Sequence, residues 1–339
     1  MDMDPHDPSG QDDPLDNAAH TIAVIGLGPQ GLALGRALHA LRTSYRILGH
    51  DREPERSRAA VAAGAVDRAV WTLPAAVAEA DLVFLCESVD QALETLDWIG
   101  PHLKPGAMVT DIAPLKAPVL ERAAAALPEG AAFVGGHPIL PSLPPVTSGG
   151  DALAPFRGAV WCVCAPPRVD AAAVAALERL IRALEARPLY IGAAEHDALA
   201  GGALLLPLLG ELAFLEALQA SPSADDLRRL GAPALLARLG AAADLDAAIA
   251  PLAHSHPATL LRWLDAQVAA LAALRGALEA GGDAWQAWLD AAVARCAAWE
   301  RPALPQDGFD RALDEAPRSL ELGRRFFGRW GGRRPDPGG

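Results

Sequence analysis

The feature that most constrains the fold is a glycine pattern, Gly26–Gly31, with the form G-x-G-x-x-G. It follows a short β-branched run at residues 21–26 and opens an apolar helical pattern that continues to Leu41. A carboxylate, Asp51, comes directly after the next strand pattern, at the distance typical of a ribose-binding residue. A strand, a glycine turn, a helix and a distant carboxylate in this order predict a dinucleotide-binding Rossmann domain.

Each part of this pattern has a physical reason. Glycines permit the tight turn and let the backbone approach a pyrophosphate, and the helix N-terminus presents N–H groups to the phosphates. The carboxylate of Asp51 can accept both ribose hydroxyls of NAD and repels a 2′-phosphate, whereas the neighbouring Arg52 could pair with that phosphate. We therefore expect NAD as the cofactor. The predicted cofactor-binding residues are Gly26, Leu27, Gly28, Gln30, Gly31, Asp51, Arg52, Ser88 and Asp111.

Strand and helix patterns alternate over the first 193 residues and then stop. Further strand patterns lie at residues 45–48, 81–86, 108–111, 133–136, 159–164 and 189–191. Such alternation predicts an α/β fold with a doubly wound, mostly parallel Rossmann sheet, and the later Ala/Leu-rich segments predict a C-terminal all-helical dimerisation domain. The predicted organisation is an acidic leader at 1–20, an NAD-binding domain at 21–193, a helical substrate and dimerisation domain at 194–301, and a peripheral tail at 302–339.

Composition limits the function classes. The formal net charge is −13, and residues 1–20 contain six aspartates and three prolines, which predicts a disordered leader. An acidic chain is unsuited to nucleic acid. The N-terminus lacks the features of a signal peptide, and the apolar run 198–210 is too short for a bilayer and predicts a buried helix. The four cysteines show no metal-ligand spacing. We expect a cytoplasmic protein with a small-molecule substrate and no metal, nucleic-acid or membrane partner.

Two later motifs follow strand patterns at the edge of the sheet where open α/β folds bind ligands. Residues 110–116 read T-D-I-A-P-L-K and end in Lys116, one of two lysines in an arginine-rich chain. This residue is either a surface lysine or a specifically placed amine. Residues 135–138 read G-G-H-P, which places His137 at a strand end with an accessible ring. A histidine titrates near neutrality and suits a general base, although an inert loop histidine fits the same pattern.

In this order, the three motifs resemble those of the prephenate dehydrogenase family, which carries T-D-x-x-S-x-K and G-x-H-P after its glycine fingerprint. Glu195–Asp197 matches a His-Asp pair of that family, and the resemblance covers about residues 21–300. It implies NAD-dependent oxidative decarboxylation of prephenate or an analogue, in aromatic amino acid biosynthesis. It also implies His137 as the base that deprotonates the C4 hydroxyl, Lys116 as a second catalytic residue, and a homodimer. The candidate substrate-binding residues are His196 and Arg238.

The chain departs from that pattern where the family contacts its substrate. Pro114 stands in place of the family serine, Leu205 and Leu208 in place of two histidines, and Pro251 in place of an arginine. Prephenate is a dianion, and carboxylates buried without cationic partners are costly.

These departures leave other functions open. The substrate could be arogenate or 4-amino-4-deoxyprephenate. The chain could instead be a β-hydroxyacid dehydrogenase or imine reductase, which also join a Rossmann domain to a helical domain. A third alternative is a catalytically degenerate homologue that retains NAD binding.

Overall fold

The computed structural model describes residues 20–41, 45–140, 150–239 and 257–299, with the backbone alone at 232–239. These residues form two compact units, residues 20–200 and residues 201–239 with 257–299. Residues 1–19 of the predicted leader and all of the predicted tail lie outside the described residues, and His20 already belongs to the first strand.

The first unit is built on one eight-stranded sheet with the strand order β3-β2-β1-β4-β5-β6-β7-β8. Neighbouring strands are parallel except for β6 and β7, which are antiparallel. The prediction of a doubly wound, mostly parallel sheet is therefore confirmed. The strands are β1 (His20–Ile25), β2 (Tyr45–His50), β3 (Arg68–Ala69), β4 (Leu82–Leu85), β5 (Met108–Asp111), β6 (Ala132–Ile139), β7 (Val160–Cys164) and β8 (Arg187–Tyr190).

Helices connect the parallel strands, because only a crossover connection can return the chain to the same end of a sheet. Strands β1 and β4 are buried along their apolar runs, since helices cover both faces of such a sheet. The helices of this unit are α1 (Pro29–Leu41), α2 (Pro54–Ala62), α3 (Leu73–Ala78), α4 (Val89–Ile99), α5 (Ala117–Ala126), α6 (Ala171–Ala183) and α7 (Ala193–Ala200).

The strand order reverses at β1, which lies between β2 and β4. Ligands of open α/β sheets bind outside the carboxyl ends of the strands at such a switch point. The carboxyl ends of β1, β4 and β5 all lie at this edge because these strands are parallel. The parallel part of β6 ends at Val134, so His137 continues beyond it at the same edge.

The second unit is helical, as the sequence predicts. A π-helical turn at Gly201–Leu205 precedes α8 (Leu206–Gln219), followed by α9 (Ala224–Leu239), α10 (Pro257–Ala280) and α11 (Gly282–Trp299). Two glycines allow close packing: a β-carbon on Gly202 would lie 2.5 Å from the Trp263 ring, and one on Gly210 would lie 2.7 Å from Gln267 Nε2.

The apolar run 198–210 lies within one helix, Ala193–Gln219, that is long and apolar enough to cross a membrane by length and composition alone. We expected a buried helix, but α8 contains no buried residue within the single chain. The single chain therefore leaves α8 uncovered, and burial of this run between two subunits stays a prediction.

Candidate active site

The glycine turn between β1 and α1 uses its glycines in two ways. Gly26 has φ +86°, and a β-carbon on Gly31 would lie 1.9 Å from the carbonyl oxygen of Gly26. These two positions therefore need glycine for the turn and for its contact with the helix. A β-carbon on Gly28 would meet nothing closer than Arg56 Nη1 at 4.0 Å. Since protein packing does not require glycine there, Gly28 leaves open space for a phosphate beside the N-terminus of α1.

Asp51 fixes this turn from the end of β2. Its Oδ2 accepts a hydrogen bond of 2.7 Å from Leu27 N, and its Oδ1 accepts one of 2.8 Å from Glu53 N. A carboxylate has about four lone-pair sites, so both oxygens can accept further hydrogen bonds from a diol. The geometry thus fits a ribose at this position. Gln30 lies exposed in the first turn of α1.

The guanidinium of Arg52 lies beside two carboxylates. Its Nη1 donates to Glu94 Oε2 at 2.9 Å, and its Nε lies 4.0 Å from Glu87 Oε1. The side chain of Glu87 is 6% exposed and lies against Gly26, where a β-carbon would be 2.8 Å from Glu87 Cγ. The sequence analysis missed Glu87, although a carboxylate two residues after a buried strand at the switch point could have indicated it.

Burial raises the pKa of Glu87 to about 7, against the lowering by the Thr95 hydroxyl and the Arg52 guanidinium. Thr95 Oγ1 donates to Glu87 Oε2 at 2.7 Å. Arg52 therefore already has a counter-ion in Glu94 before any ligand binds. This pairing, together with the carboxylate of Asp51 at the ribose position, opposes a 2′-phosphate.

Ser88 caps α4. Its Oγ accepts from Gln91 N at 3.4 Å, and its own N–H donates to Gln91 Oε1 at the same distance, which forms a capping box. The Ser88 side chain therefore stabilises the N-terminus of α4, just after the carboxyl end of β4. Contact between Ser88 and a cofactor stays a prediction.

Asp111 and Lys116 form an ion pair with both side chains 0% exposed. The structure disagrees with two predictions here, because a fully buried carboxylate cannot contact a cofactor directly and a fully buried amine cannot contact a substrate. Instead, Lys116 Nζ donates to Gly136 O at 2.7 Å, and Gly136 N donates to Asp111 Oδ1 at 3.0 Å. Burial raises the pKa of Asp111, and the Lys116 ammonium opposes that rise. The ion pair therefore binds both the backbone N–H and the carbonyl oxygen of Gly136, the residue before His137.

His137 lies within β6, opposite Cys162 of β7, and is 6% exposed. We predicted an accessible histidine at a strand end. That prediction is wrong, because β6 extends three residues beyond Gly136 to pair with the antiparallel β7. Burial lowers the pKa of His137 well below its usual value, and the Lys116 ammonium and His196 lower it further. The ring is therefore neutral at physiological pH, as a general base must be.

His196 and Asp197 continue a hydrogen-bond chain from His137. His137 Nδ1 lies 2.9 Å from His196 Nε2, and His196 Nδ1 lies 2.8 Å from Asp197 Oδ1. Both ring nitrogens of His196 are thus occupied, and the residue is 3% exposed. The structure disagrees with the prediction that His196 binds substrate, since the ring has no polar atom left for it.

Pro114 lies between Asp111 and Lys116 and offers no hydroxyl to this cluster. The other predicted substrate residue, Arg238, belongs to α9, but its side chain lies outside the described part of the chain, as does Pro251. We find no cluster of three or more His, Cys, Asp or Glu side chains suited to a metal among the described residues.

Residues 34–190 match the family profile described as prephenate dehydrogenase, nucleotide-binding domain. Over these residues, the chain is therefore similar to the nucleotide-binding domain of prephenate dehydrogenases. A prephenate dehydrogenase of Bacillus subtilis (strain 168) is 29% identical over 181 residues, which cover 52% of this chain and 48% of that protein. The chain thus aligns with about half of the length of this curated relative.

Solved structures support the fold. A prephenate dehydrogenase of A. aeolicus, determined in complex with hydroxyphenyl propionate and NAD+, superposes with a TM-score of 0.71 at 18% identity, covering 82% of this chain and 98% of that one. A Synechocystis arogenate dehydrogenase superposes with a TM-score of 0.58 at 24% identity, covering 80% and 94%. A Rossmann sheet followed by a helical region is therefore common to this chain and these dehydrogenases.

Proposed function

We propose that this chain is an NAD-dependent dehydrogenase that oxidatively decarboxylates prephenate or a close cyclohexadienyl analogue, such as arogenate or 4-amino-4-deoxyprephenate. The observation that carries the proposal is the neutral, hydrogen-bonded ring of His137 at the sheet edge that also presents the glycine turn. A base and a dinucleotide turn at one edge suit a reaction that removes a proton and a hydride from neighbouring atoms.

The residues of the chain supply the proton chemistry. For prephenate, His137 takes the proton of the C4 hydroxyl as the C4–H bond breaks. NAD, which the glycine turn and Asp51 would hold, would supply the hydride acceptor. The bond to the ring carboxylate then breaks and releases carbon dioxide, and its electron pair completes the aromatic ring. The resulting phenolate recovers the proton from His137, so that the histidine ends the cycle neutral. The low pKa of His137 favours this return.

The test is an absorbance assay at the NADH band with NAD and each of the three cyclohexadienyl substrates. We expect one of them to give NADH and an equal amount of carbon dioxide. If NAD binds in calorimetry and none of the three is oxidised, the proposal fails. The second candidate, a homologue that retains NAD binding without turnover, would then be favoured. The absence of a hydroxyl at Pro114 is the observation that supports this alternative.

The carboxylates around Arg52 lead to a prediction on the cofactor. We expect NAD to bind more tightly than NADP, and Asp51→Ala to narrow the difference because it removes the diol acceptor and one repulsive charge. Calorimetric titration of both cofactors measures the effect. The matched control is Asp90→Ala, an exposed carboxylate in the first turn of α4. Equal narrowing in both variants, or NADP preferred by the unaltered protein, would overturn the cofactor assignment.

We also propose that a second copy of the chain covers the helical unit. Its α8 contains no buried residue, and large apolar side chains are exposed on two helices: Phe214 is 50% exposed on α8, and Leu261 and Leu271 are 59% and 56% exposed on α10. Exposed apolar surface of this kind is typical of a protein–protein contact. We expect light scattering at micromolar concentration to give the mass of a homodimer, and a monodisperse monomer would contradict it.

A further inference from the structure

The hydrogen-bond chain through α7 carries an inference about which atom of His137 reacts. We propose that Asp197, acting through His196, holds neutral His137 in the tautomer with the proton on Nδ1, so that Nε2 is the basic atom. Asp197 and His196 are then positioning residues and not substrate ligands. The reactive role of Nε2 rests on the proposed function, but the tautomer itself does not.

The argument starts at Asp197, which receives hydrogen bonds from three donors. Its Oδ1 accepts from Lys116 N at 2.7 Å, and its Oδ2 accepts from Ala117 N at 2.9 Å, at the N-terminus of α5. Burial by itself would raise the pKa of Asp197, but the hydrogen bonds from His196 and these two amides lower it below the usual value. The carboxylate is therefore ionised and can only accept hydrogen bonds.

The donor or acceptor role of each ring nitrogen in His196 and His137 then follows from that of its neighbour. Because Asp197 only accepts, His196 Nδ1 must donate to it across 2.8 Å. We take His196 as the neutral imidazole, which has one donor and one acceptor nitrogen, so that His196 Nε2 accepts. The contact of 2.9 Å between this atom and His137 Nδ1 then requires that His137 Nδ1 donates. The lone pair of His137 is left on Nε2.

The charged groups around His137 agree with this assignment. Burial and the Lys116 ammonium lower the pKa of His137, and Cys162 faces it across the sheet. Asp111, the carboxylate beside Lys116, is bound to that ammonium and to Gly136 N. Asp197 is thus the carboxylate that acts on the ring, through His196. Pro114, in the loop between Asp111 and Lys116, has no hydroxyl to offer the ring. Orientation of the base therefore depends on Asp197 and His196.

Two variants separate this role from general damage to the fold. Asp197→Asn keeps the size of the side chain but offers one acceptor oxygen to three donors, so that in either orientation its amide N–H opposes Lys116 N or Ala117 N. His196 Nδ1 is then no longer held as a donor, and neutral His137 populates both tautomers. His196→Gln retains a carbonyl that can accept from His137 Nδ1. We expect turnover to fall more than about tenfold in Asp197→Asn, because the base is no longer oriented. We expect it to fall by no more than about tenfold in His196→Gln, the scale of one weakened hydrogen bond.

The matched control is His39→Gln, since His39 also lies beside a carboxylate, with its Nε2 3.7 Å from Asp67 Oδ1 in the same unit. We expect it to leave turnover unchanged. Thermal unfolding of all three variants shows whether any loss of turnover comes from loss of the fold.

The deciding readout is ¹⁵N NMR of histidine-labelled protein without substrate. We expect the His137 signals of the unaltered protein to show a protonated Nδ1 and an unprotonated Nε2, and those of Asp197→Asn to show a mixture of the two tautomers. A protonated Nε2 in the unaltered protein would overturn the inference, whatever substrate is used. If the expected tautomer is found but no cyclohexadienyl substrate is oxidised, the proposed function fails and the positioning role stands.

Discussion

Replacement of His137 by asparagine is expected to lower turnover by about 10²–10⁴-fold, the usual contribution of a general base. Asparagine retains a polar side chain that can bond His196, but it cannot take the proton of a substrate hydroxyl. NAD affinity should hardly change, because the glycine turn and Asp51 belong to β1, α1 and β2 rather than to β6. Steady-state rates with the best cyclohexadienyl substrate, together with calorimetric titration of NAD, measure both effects.

The control for this variant is His39→Asn, which makes the same exchange outside the site. Full activity in His137→Asn would exclude this histidine as the base.

The pH dependence of turnover provides a second test of His137. Because burial, Lys116 and His196 lower the pKa of His137, the ring stays neutral as the pH falls through 6.5, the usual pKa of histidine. Activity should therefore persist below that pH and be lost only at the lower folded-state pKa. An acid limb centred at or above 6.5 would contradict the geometry.

The largest expected effect on stability is at Lys116. Lys116→Met should lower the free energy of unfolding by about 3–5 kcal/mol, because it leaves the carboxylate of Asp111 buried without a counter-ion. It also removes the donor to Gly136 O. Chemical denaturation gives this difference from the shift of the midpoint at constant slope.

The chain provides a matched control in its other lysine. Lys104 Nζ pairs with Asp81, but the lysine side chain is 44% exposed, so Lys104→Met should cost only about 0–1 kcal/mol. The double variant Asp111→Asn with Lys116→Met removes both buried charges and should recover part of the loss. Equal losses for the two lysine variants would show that the buried pair has no special importance.

The parts of the fold with strong local signals could be predicted from the sequence. The glycine turn and Asp51 lie where the pattern indicates. A tight turn and a close approach of two backbones each require glycine, so these positions can be recognised individually in the sequence. Strand-helix alternation likewise gave the mostly parallel sheet. The length of β6 could not be read in this way, because its last residues pair with β7, which lies more than twenty residues further along the chain.

The errors at the site have the same origin. Lys116 and Asp111 looked accessible because charged residues mostly are, and only tertiary packing brings them together in the interior. His196 looked like a substrate ligand because its motif lies at the start of the predicted helical domain, whereas α7 groups with the sheet. Its two partners, His137 and Asp197, lie on different elements, and the sequence contains no signal for the contact with β6.

The contacts of Lys116 differ in how strongly they depend on the type of residue at this position. Its side chain reaches Asp111 and Gly136, and these bonds need an amine of this length. Its amide, with that of Ala117, binds Asp197, and every amino acid except proline can supply that hydrogen bond. A substitution of Lys116 can therefore remove the bonds to Asp111 and Gly136 while the amides of residues 116 and 117 still hold Asp197 in place. Stability and the orientation of the base thus depend on different atoms of the same residue.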